Sequence, residues 1–326
     1  MTEELHLGYS VHGVTHSSWQ SLPPRLEHIM KEASIFSERF FLHQGDIGDL
    51  GVLVSLLNKI NPCEVYNLAA QSSVQLSFEQ PISTIRSVGL GVINLLEAVR
   101  LVNRDIKVFQ ASSSEIFGKV NIFPQDESTP TYPCSPYAVA KLTAFAAVRM
   151  YREAYGLKVC SGILYNHESS RRGGNFVTQK IINAVVRIKY GLQSRLELGN
   201  LDSRRDWGHA RDFVLCMWQM LQLERMEDFV VATGKTHSVR EFVYQAFKTV
   251  GIGIRFKNEG LDEVGVEETT GEVLVTVNPT FFRPVEPGLC VGDSSKALSI
   301  LGWKVQTQFP DLISEMISAS EVRNSH

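Results

Sequence analysis

In the stretch SPYAVAKL, residues 135–142, a tyrosine and a lysine stand four positions apart behind a serine and a proline. Ser135 suits a helix cap and Pro136 the first helical position, so Tyr137 and Lys141 are predicted to share one helix face. The chemistry open to such a pair is proton abstraction by a phenolate. Bringing a tyrosine from about 10 to about 7 requires roughly 4 kcal/mol of preferential stabilisation of the anion, at ~1.36 kcal/mol per unit. A lysine ammonium one turn away supplies part of it. A surface helix that happens to carry Tyr and Lys at this spacing is the plainer description, and what lies upstream decides between them. There QASSSEIFG, residues 110–118, ends a strand-like run with the hydroxyls of Ser112, Ser113 and Ser114 and the carboxylate of Glu115. A solvated serine-rich turn is the competing account. The order of strand, hydroxyls and Tyr-Lys helix is, however, the one that would make these groups converge.

The elements needed to position them are legible as an alternation. Strand-like runs VHGVT (11–15), FFLHQGD (40–46), EVYNLAA (64–70), KVFQASS (107–113) and KVCSGILY (158–165) are separated by amphipathic segments such as GVLVSLLNKI (51–60) and GVINLLEAVRLV (91–102). This rhythm predicts an α/β fold, a Rossmann-like doubly wound parallel sheet with right-handed crossovers. From Asn166 it gives way to helices and loops, with Ser238 and Glu241 forming a capping box for VREFVYQAFKTV. The expected division is therefore 1–165 for the sheet domain and 166–326 for a smaller, interleaved α/β lobe. Ligands of such sheets bind beyond the carboxyl ends of the strands. The residues there are small and polar: GDIGD, AAQSS, SSSEIFG and NHESSRRGGN.

Composition excludes several classes. The 326 residues are 44% hydrophobic and 21% charged, with a formal net charge of -3. That is ordinary globular material with no electrostatic footprint for nucleic acid. The five cysteines fit no Cys-x-x-Cys spacing and read as reduced thiols of a cytoplasmic protein. No stretch approaches the ~20 apolar residues of a membrane span, and the first residues lack a signal-peptide pattern. The nine histidines show no metal-ligand spacing, so no metal site is expected.

The chain resembles the sugar-nucleotide branch of the extended short-chain dehydrogenase/reductases, and within it the GDP-mannose 4,6-dehydratases. The resemblance runs from about Gly8 to the C-terminus and is carried by YNLAAQSSVQLSFEQP, QASSSEIFGKV, SPYAVAKL, REAYGLKVCSGILYNHESSRRGGNFVTQKI, LGNLDSRRDWGHARDFV, FVVATGKTHSVREFV and KALSILGWK. It implies dehydration of GDP-mannose by internal hydride transfer through bound NADP. Tyr137 would be the base at the sugar 4-hydroxyl, Lys141 would hold the cofactor ribose, and Glu115 would remove the C5 proton. Ser113 would hydrogen-bond the 4-hydroxyl where the family has a threonine. Asp46, Leu68, Ala69, Ala70, Gln71, Ser72, His167 and Arg172 match cofactor-binding positions. Asn166, Asn175, Lys180, Arg205, Arg283 and Glu286 match positions that hold the sugar, diphosphate, base and ribose. Family members are dimers or tetramers, and RLEHIM (25–30) resembles part of the segment involved.

Departures from the family pattern keep other readings open. The segment MTEELHLGYSVHGVTHSSWQ carries no strand and glycine-rich turn ahead of VHGVT. Backbone amides of that turn bind a pyrophosphate, and losing about three such bonds would cost roughly 5 to 9 kcal/mol. In the usual strand order the vacant position lies between VHGVT and EVYNLAA, so two edges are expected unless VHGVT moves across. Thr15, His16, Ser17 and Ser18 stand where the family has a pair of arginines for the ribose 2′-phosphate, and Ser83 where it has a tyrosine. NAD in place of NADP therefore stays open. One alternative is an impaired relative that binds sugar nucleotide or pairs with an intact copy. Another is an NAD(P)-dependent epimerase or reductase, which would not need Glu115.

Overall fold

Strand–helix alternation is present in the first half as the sequence predicts, whereas the stretch from Asn166, expected to be helices and loops, also carries short strands and a four-stranded sheet. The computed structural model describes residues 8–16, 26, 38–282, 285 and 288–324. β1 (Val11–Thr15) and β2 (Phe40–Gln44) precede α1 (Leu50–Ile60), which Asp49 caps by accepting from the Val52 amide. β3 (Glu64–Asn67) is followed by α2 (Val74–Glu79), a turn of helix at Pro81–Thr84 and a π-helical stretch, Ile85–Leu90, that runs into α3 (Gly91–Val102). β4 (Lys107–Ala111), α4 (Pro136–Tyr155) and β5 (Val159–Leu164) complete the first series. After it come β6 (Asn166–Glu168), α5 (Val177–Lys189), β7 (Leu196–Leu198), β8 (Arg204–Arg205), β9 (Trp207–His209), α6 (Ala210–Gln222), β10 (Phe229–Val231) and β11 (His237–Ser238). The chain ends with α7 (Val239–Thr249), β12 (Ile254–Lys257), β13 (Val264–Glu267), β14 (Val273–Val277), α8 (Ser295–Leu301) and α9 (Phe309–Asn324). Ser238 caps α7, its Oγ accepting from the Glu241 amide at 3.0 Å, while the Glu241 carboxylate, expected to complete a capping box, bonds His237 and Arg204.

The chain divides into two compact units. One comprises Met1–Gly118, Thr131–Ile163 and Val214–Phe229, and the other Lys119–Pro130, Leu164–Phe213 and Val230–His326. In the first, a core of Leu53, Leu57, Val92, Leu95, Leu96, Val99, Val108, Val148 and Val159 joins α1, α3, α4 and the sheet. Close packing there demands glycine at 91, where an added Cβ would lie 2.8 Å from Ile47. In the second, α5, α7 and α9 close over β7 and β14 around Ile181, Val185, Trp207, Phe242, Phe247, Val275 and Met316. Its sheet runs β12-β13-β14-β7, with β14 and β7 parallel.

The main parallel sheet has the order β10-β5-β4-β3, with Asn67 opposite Gln110 and Ala111 opposite Gly162. β1 and β2 form a separate parallel pair, Val11 opposite Phe40. β1 thus stays with β2 rather than crossing to β3. Among the described residues no strand pairs with the second edge of either β1 or β3. Burial follows the pairing: β5 is buried throughout, whereas β3 and β1 are largely half-exposed.

Candidate functional site

The carboxyl end of β4 and the first turns of α4 build one corner. Ser135 Oγ accepts from the Ala138 amide at 3.1 Å, and Pro136 occupies the first helical position. That start fixes the helix phase so that Tyr137 and Lys141 turn inward, 9% and 3% exposed. Lys141 Nζ donates to the Ala111 carbonyl at 2.7 Å and lies 5.7 Å from the centre of the Tyr137 ring. Burial pulls the ammonium down from 10.5 to about 8. Among the described residues no carboxylate pairs with it, so its field acts on the neighbouring phenol. One carbonyl uses one of its three donors; the others suit a ribose diol, which is the observation that fits the corner to the nicotinamide end of a dinucleotide.

The serines sit where the sequence places them. Ser112 continues the ladder through its amide to Gly162, and Ser113 Oγ accepts from the Glu115 amide at 3.3 Å, opening a short 3-10 turn over Ser114–Ile116. Ser113 and Glu115 are half-buried. Gly118 ends the motif with φ of 57°, and a Cβ there would fall 1.7 Å from the Tyr132 carbonyl oxygen, so only glycine closes the turn. Two residues that the sequence reading passes over complete the corner: the buried amides of Asn67 and Gln110, paired at 2.7 Å. The signal was available, since each follows two apolar or aromatic residues, Val65-Tyr66 and Val108-Phe109, near the inner end of its strand.

At the ends of β2 and β3 lie the positions matched to the rest of the cofactor. Asp46 accepts from the Gly48 amide at 2.8 Å and faces His16 at 3.5 Å, with its side chain 55% exposed. Leu68, Ala69, Ala70, Gln71 and Ser72 form the turn after β3, with Leu68 57% exposed. Gln71 shapes that turn, its Nε2 donating to the Ser73 carbonyl at 3.0 Å and Thr84 Oγ1 at 3.3 Å. Among the described residues no glycine-rich turn feeds a helix beside β1. Ser17 and Ser18, and RLEHIM apart from Leu26, lie outside the described residues.

In the second unit, β6 pairs with β9 and sets Asn166 opposite Trp207 and His167 opposite Gly208. His167 Nδ1 lies 2.9 Å from the Tyr165 carbonyl, so that nitrogen carries the proton, and its ring stacks on Phe213. Arg172 Nε is 3.1 Å from the buried carboxylate of Glu168, which also accepts from Thr178 at 2.8 Å. Burial pushes the Glu168 carboxyl up, against the pull of Arg172. The Arg172 guanidinium covers the Phe176 ring at 3.6 Å. Lys180 Nζ sits 3.4 Å over Phe281, and burial lowers its pKa against the opposing charge of Glu197. Arg205 is 9% exposed. The adjoining Asp206 is fully buried and accepts from the Thr233 amide, the Thr233 hydroxyl and the Gly234 amide at 2.7 to 2.9 Å. Asn175 is exposed. Arg283 and Glu286 lie outside the described residues. Among the described residues no group of three or more His, Cys, Asp or Glu side chains could hold a metal ion, and no helix is long and apolar enough to cross a membrane.

Comparison with known proteins agrees with this arrangement. Residues 2–316 match the family model described as GDP-mannose 4,6 dehydratase. The chain is 48% identical over 314 residues to the GDP-mannose 4,6 dehydratase of Drosophila melanogaster, covering 95% of this chain and 80% of the relative. The human enzyme of that name is 46% identical over 319 residues, covering 97% and 86%. Among solved structures, a dTDP-glucose 4,6-dehydratase from Streptomyces venezuelae with NAD bound superposes with a TM-score of 0.80 at 20% identity, covering 99% of this chain and 93% of that one. The RMD protein of Pseudomonas aeruginosa complexed with NADPH gives 0.76 at 22%, covering 96% and 99%. These two likenesses show the fold, a parallel α/β sheet flanked by helices. The family match over nearly the whole length, and relatives close to half identical, show more: this chain belongs to the GDP-mannose 4,6-dehydratase family.

Proposed function

We propose that the chain converts GDP-mannose to GDP-4-dehydro-6-deoxy-mannose and water. The observation that carries this reading is the convergence of Lys141, the Ala111 carbonyl and Tyr137 beside the Ser113–Glu115 turn. When bound, NADP supplies a reversible hydride acceptor; Lys141, Asp46, Leu68 to Ser72, His167 and Arg172 would hold it. Tyr137 removes the proton from the sugar 4-hydroxyl, which Ser113 orients by hydrogen bonding. Lys141 steadies the phenolate across one helical turn. Glu115 takes the C5 proton once C4 is a ketone, and the C6 hydroxyl departs as water. An epimerase or reductase would have no use for that glutamate. Asn166, Asn175, Lys180, Arg205, Arg283 and Glu286 would bind the GDP and sugar, with arginine forks suited to the diphosphate.

On this reading the first unit supplies the groups that do the chemistry and most of the cofactor contacts, and the second supplies His167, Arg172 and the residues for the sugar nucleotide. A homodimer or homotetramer is favoured by one face of α4, where Val139 and Met150 are 43% and 44% exposed with Thr143 and Ala146 between them at helical spacing. A cytoplasmic setting fits the five cysteines, all free thiols.

The test is incubation of the purified chain with GDP-mannose and NADP, with mass spectrometry for loss of one water, and calorimetry with NADP and GDP in parallel. Turnover with micromolar NADP affinity is expected. GDP binding without NADP binding would replace this reading with that of a sugar-nucleotide-binding relative.

A further inference from the structure

The two amides at the ends of β3 and β4 form part of a directed chain of hydrogen bonds. The Ala69 amide donates to Asn67 Oδ1 at 3.2 Å. Asn67 Nδ2 must therefore be the donor of the next bond, to Gln110 Oε1 at 2.7 Å. Gln110 Nε2 in turn donates to the Ala111 carbonyl at 2.9 Å, and Lys141 Nζ donates to that same oxygen at 2.7 Å. One backbone amide thus dictates the orientation of both side-chain amides. The reason this oxygen needs side-chain partners lies in the ladder. β3 ends at Asn67, opposite Gln110, and the chain then leaves as the 68–72 turn, so the Ala111 carbonyl lies beyond the last β3 pair. A carbonyl oxygen has two lone pairs. Gln110 takes one and leaves the other for the ammonium, which fixes the direction from which Nζ approaches.

We infer that Asn67 and Gln110 are positioning residues that hold Lys141 at its place beside Tyr137 and tie that place to the 68–72 turn. Both are buried, 5% and 1% exposed, and neither touches the reacting atoms. The inference rests on the catalytic reading of Lys141. Sheet stabilisation alone would also account for a buried amide pair, and the two accounts differ in what a matched apolar replacement does. Removing one partner strands a buried polar group, whereas replacing both with apolar groups of similar shape is close to neutral for stability.

Four variants of the full chain separate them, read by thermal unfolding and by kcat and KM for GDP-mannose. Gln110→Leu and Asn67→Leu each lower Tm. The double variant Asn67→Leu/Gln110→Leu recovers most of that Tm, as coupled neighbours do. Its kcat stays roughly 10²-fold below that of the unaltered chain, the scale expected for a misplaced catalytic group, with KM little changed. A double variant that regains kcat together with Tm would overturn the inference and leave the pair as sheet stabilisers. Lys141→Met is the control. If it abolishes turnover while the double variant is fully active, the positioning role alone fails; if it leaves turnover intact, the catalytic reading of Lys141 fails, and the inference with it.

Discussion

The inner end of β4 and the β1–β2 pair belong to one unit and are built in opposite ways. At β4 the strand is buried from Val108 to Ala111, and the polar groups of Asn67, Gln110 and Lys141 are bonded to one another or to backbone. At β1–β2 the strands have one shared edge. His12 bonds His43 at 2.9 Å and stacks on Phe41, while Val14 and Phe41 are 50% and 37% exposed. Burial and the charge of Lys59 hold both histidines below their ordinary pKa. The β4 corner is assembled from a helix cap, a glycine-closed turn and a pair of amides, and none of these is bonded to the β1–β2 pair among the described residues. On the proposed reading, the groups that would do the chemistry are placed by parts of the chain other than the β1–β2 pair.

The sharpest way to test the β4 side is Tyr137→Phe, which keeps the ring and removes the proton acceptor. A loss of about 10³-fold or more in kcat is expected, with GDP affinity unchanged by calorimetry. Retention of more than a tenth of the turnover would assign the base elsewhere. A smaller effect follows from the burial of Lys141. Its pKa in the folded chain, about 8, lies below the 10.5 of an exposed lysine, so the folded state binds that proton less tightly than the unfolded one. The resulting penalty, on the order of 3 kcal/mol, is fully present below about pH 8 and is relieved as pH rises towards about 10. Urea unfolding of the parent chain and of Lys141→Met across that range should therefore show the parent gaining stability relative to the variant. A difference independent of pH would mean that the ammonium is not desolvated.

These features differ in how they could be read from sequence. Ser135, Pro136, Tyr137 and Lys141 are governed by local helix geometry, and the structure places them as the spacing predicts. Gly118 is equally local. Asn67 and Gln110 were missed because the runs EVYNLAA and KVFQASS carry each amide as one polar residue within a strand, and nothing local marks it as a buried partner across 43 residues. Glu168 and Arg172 stand at i,i+4 spacing, yet that stretch is not helical, so the pair became visible only with the fold. The π-helical turn at Ile85–Leu90 carries no composition that distinguishes it from the α-helix it joins. The choice of β1 to pair with β2 rather than β3 was left open by sequence, because short parallel strands carry little register information of their own.

The smallest expected effect tests the comparison from its exposed side. Leu96 is wholly buried within the core of the first unit, and Leu96→Ala is expected to cost about 2 to 5 kcal/mol through lost transfer energy and the cavity left behind. Val14 also lies in a regular element of that unit, and by strand propensity it looks just as structural. Half its surface is in contact with solvent, however, so Val14→Thr, nearly isosteric and equally β-branched, should change stability by no more than about 0.5 kcal/mol. Chemical denaturation of the two variants measures the contrast. If Val14→Thr costs as much as a core substitution, that face of β1 is covered in solution, and the openness that separates the β1–β2 pair from the β4 corner does not hold. If the cost is negligible, the exposed strand contributes little packing energy, and the stability of the first unit rests on the helices and strands that also carry Tyr137 and Lys141.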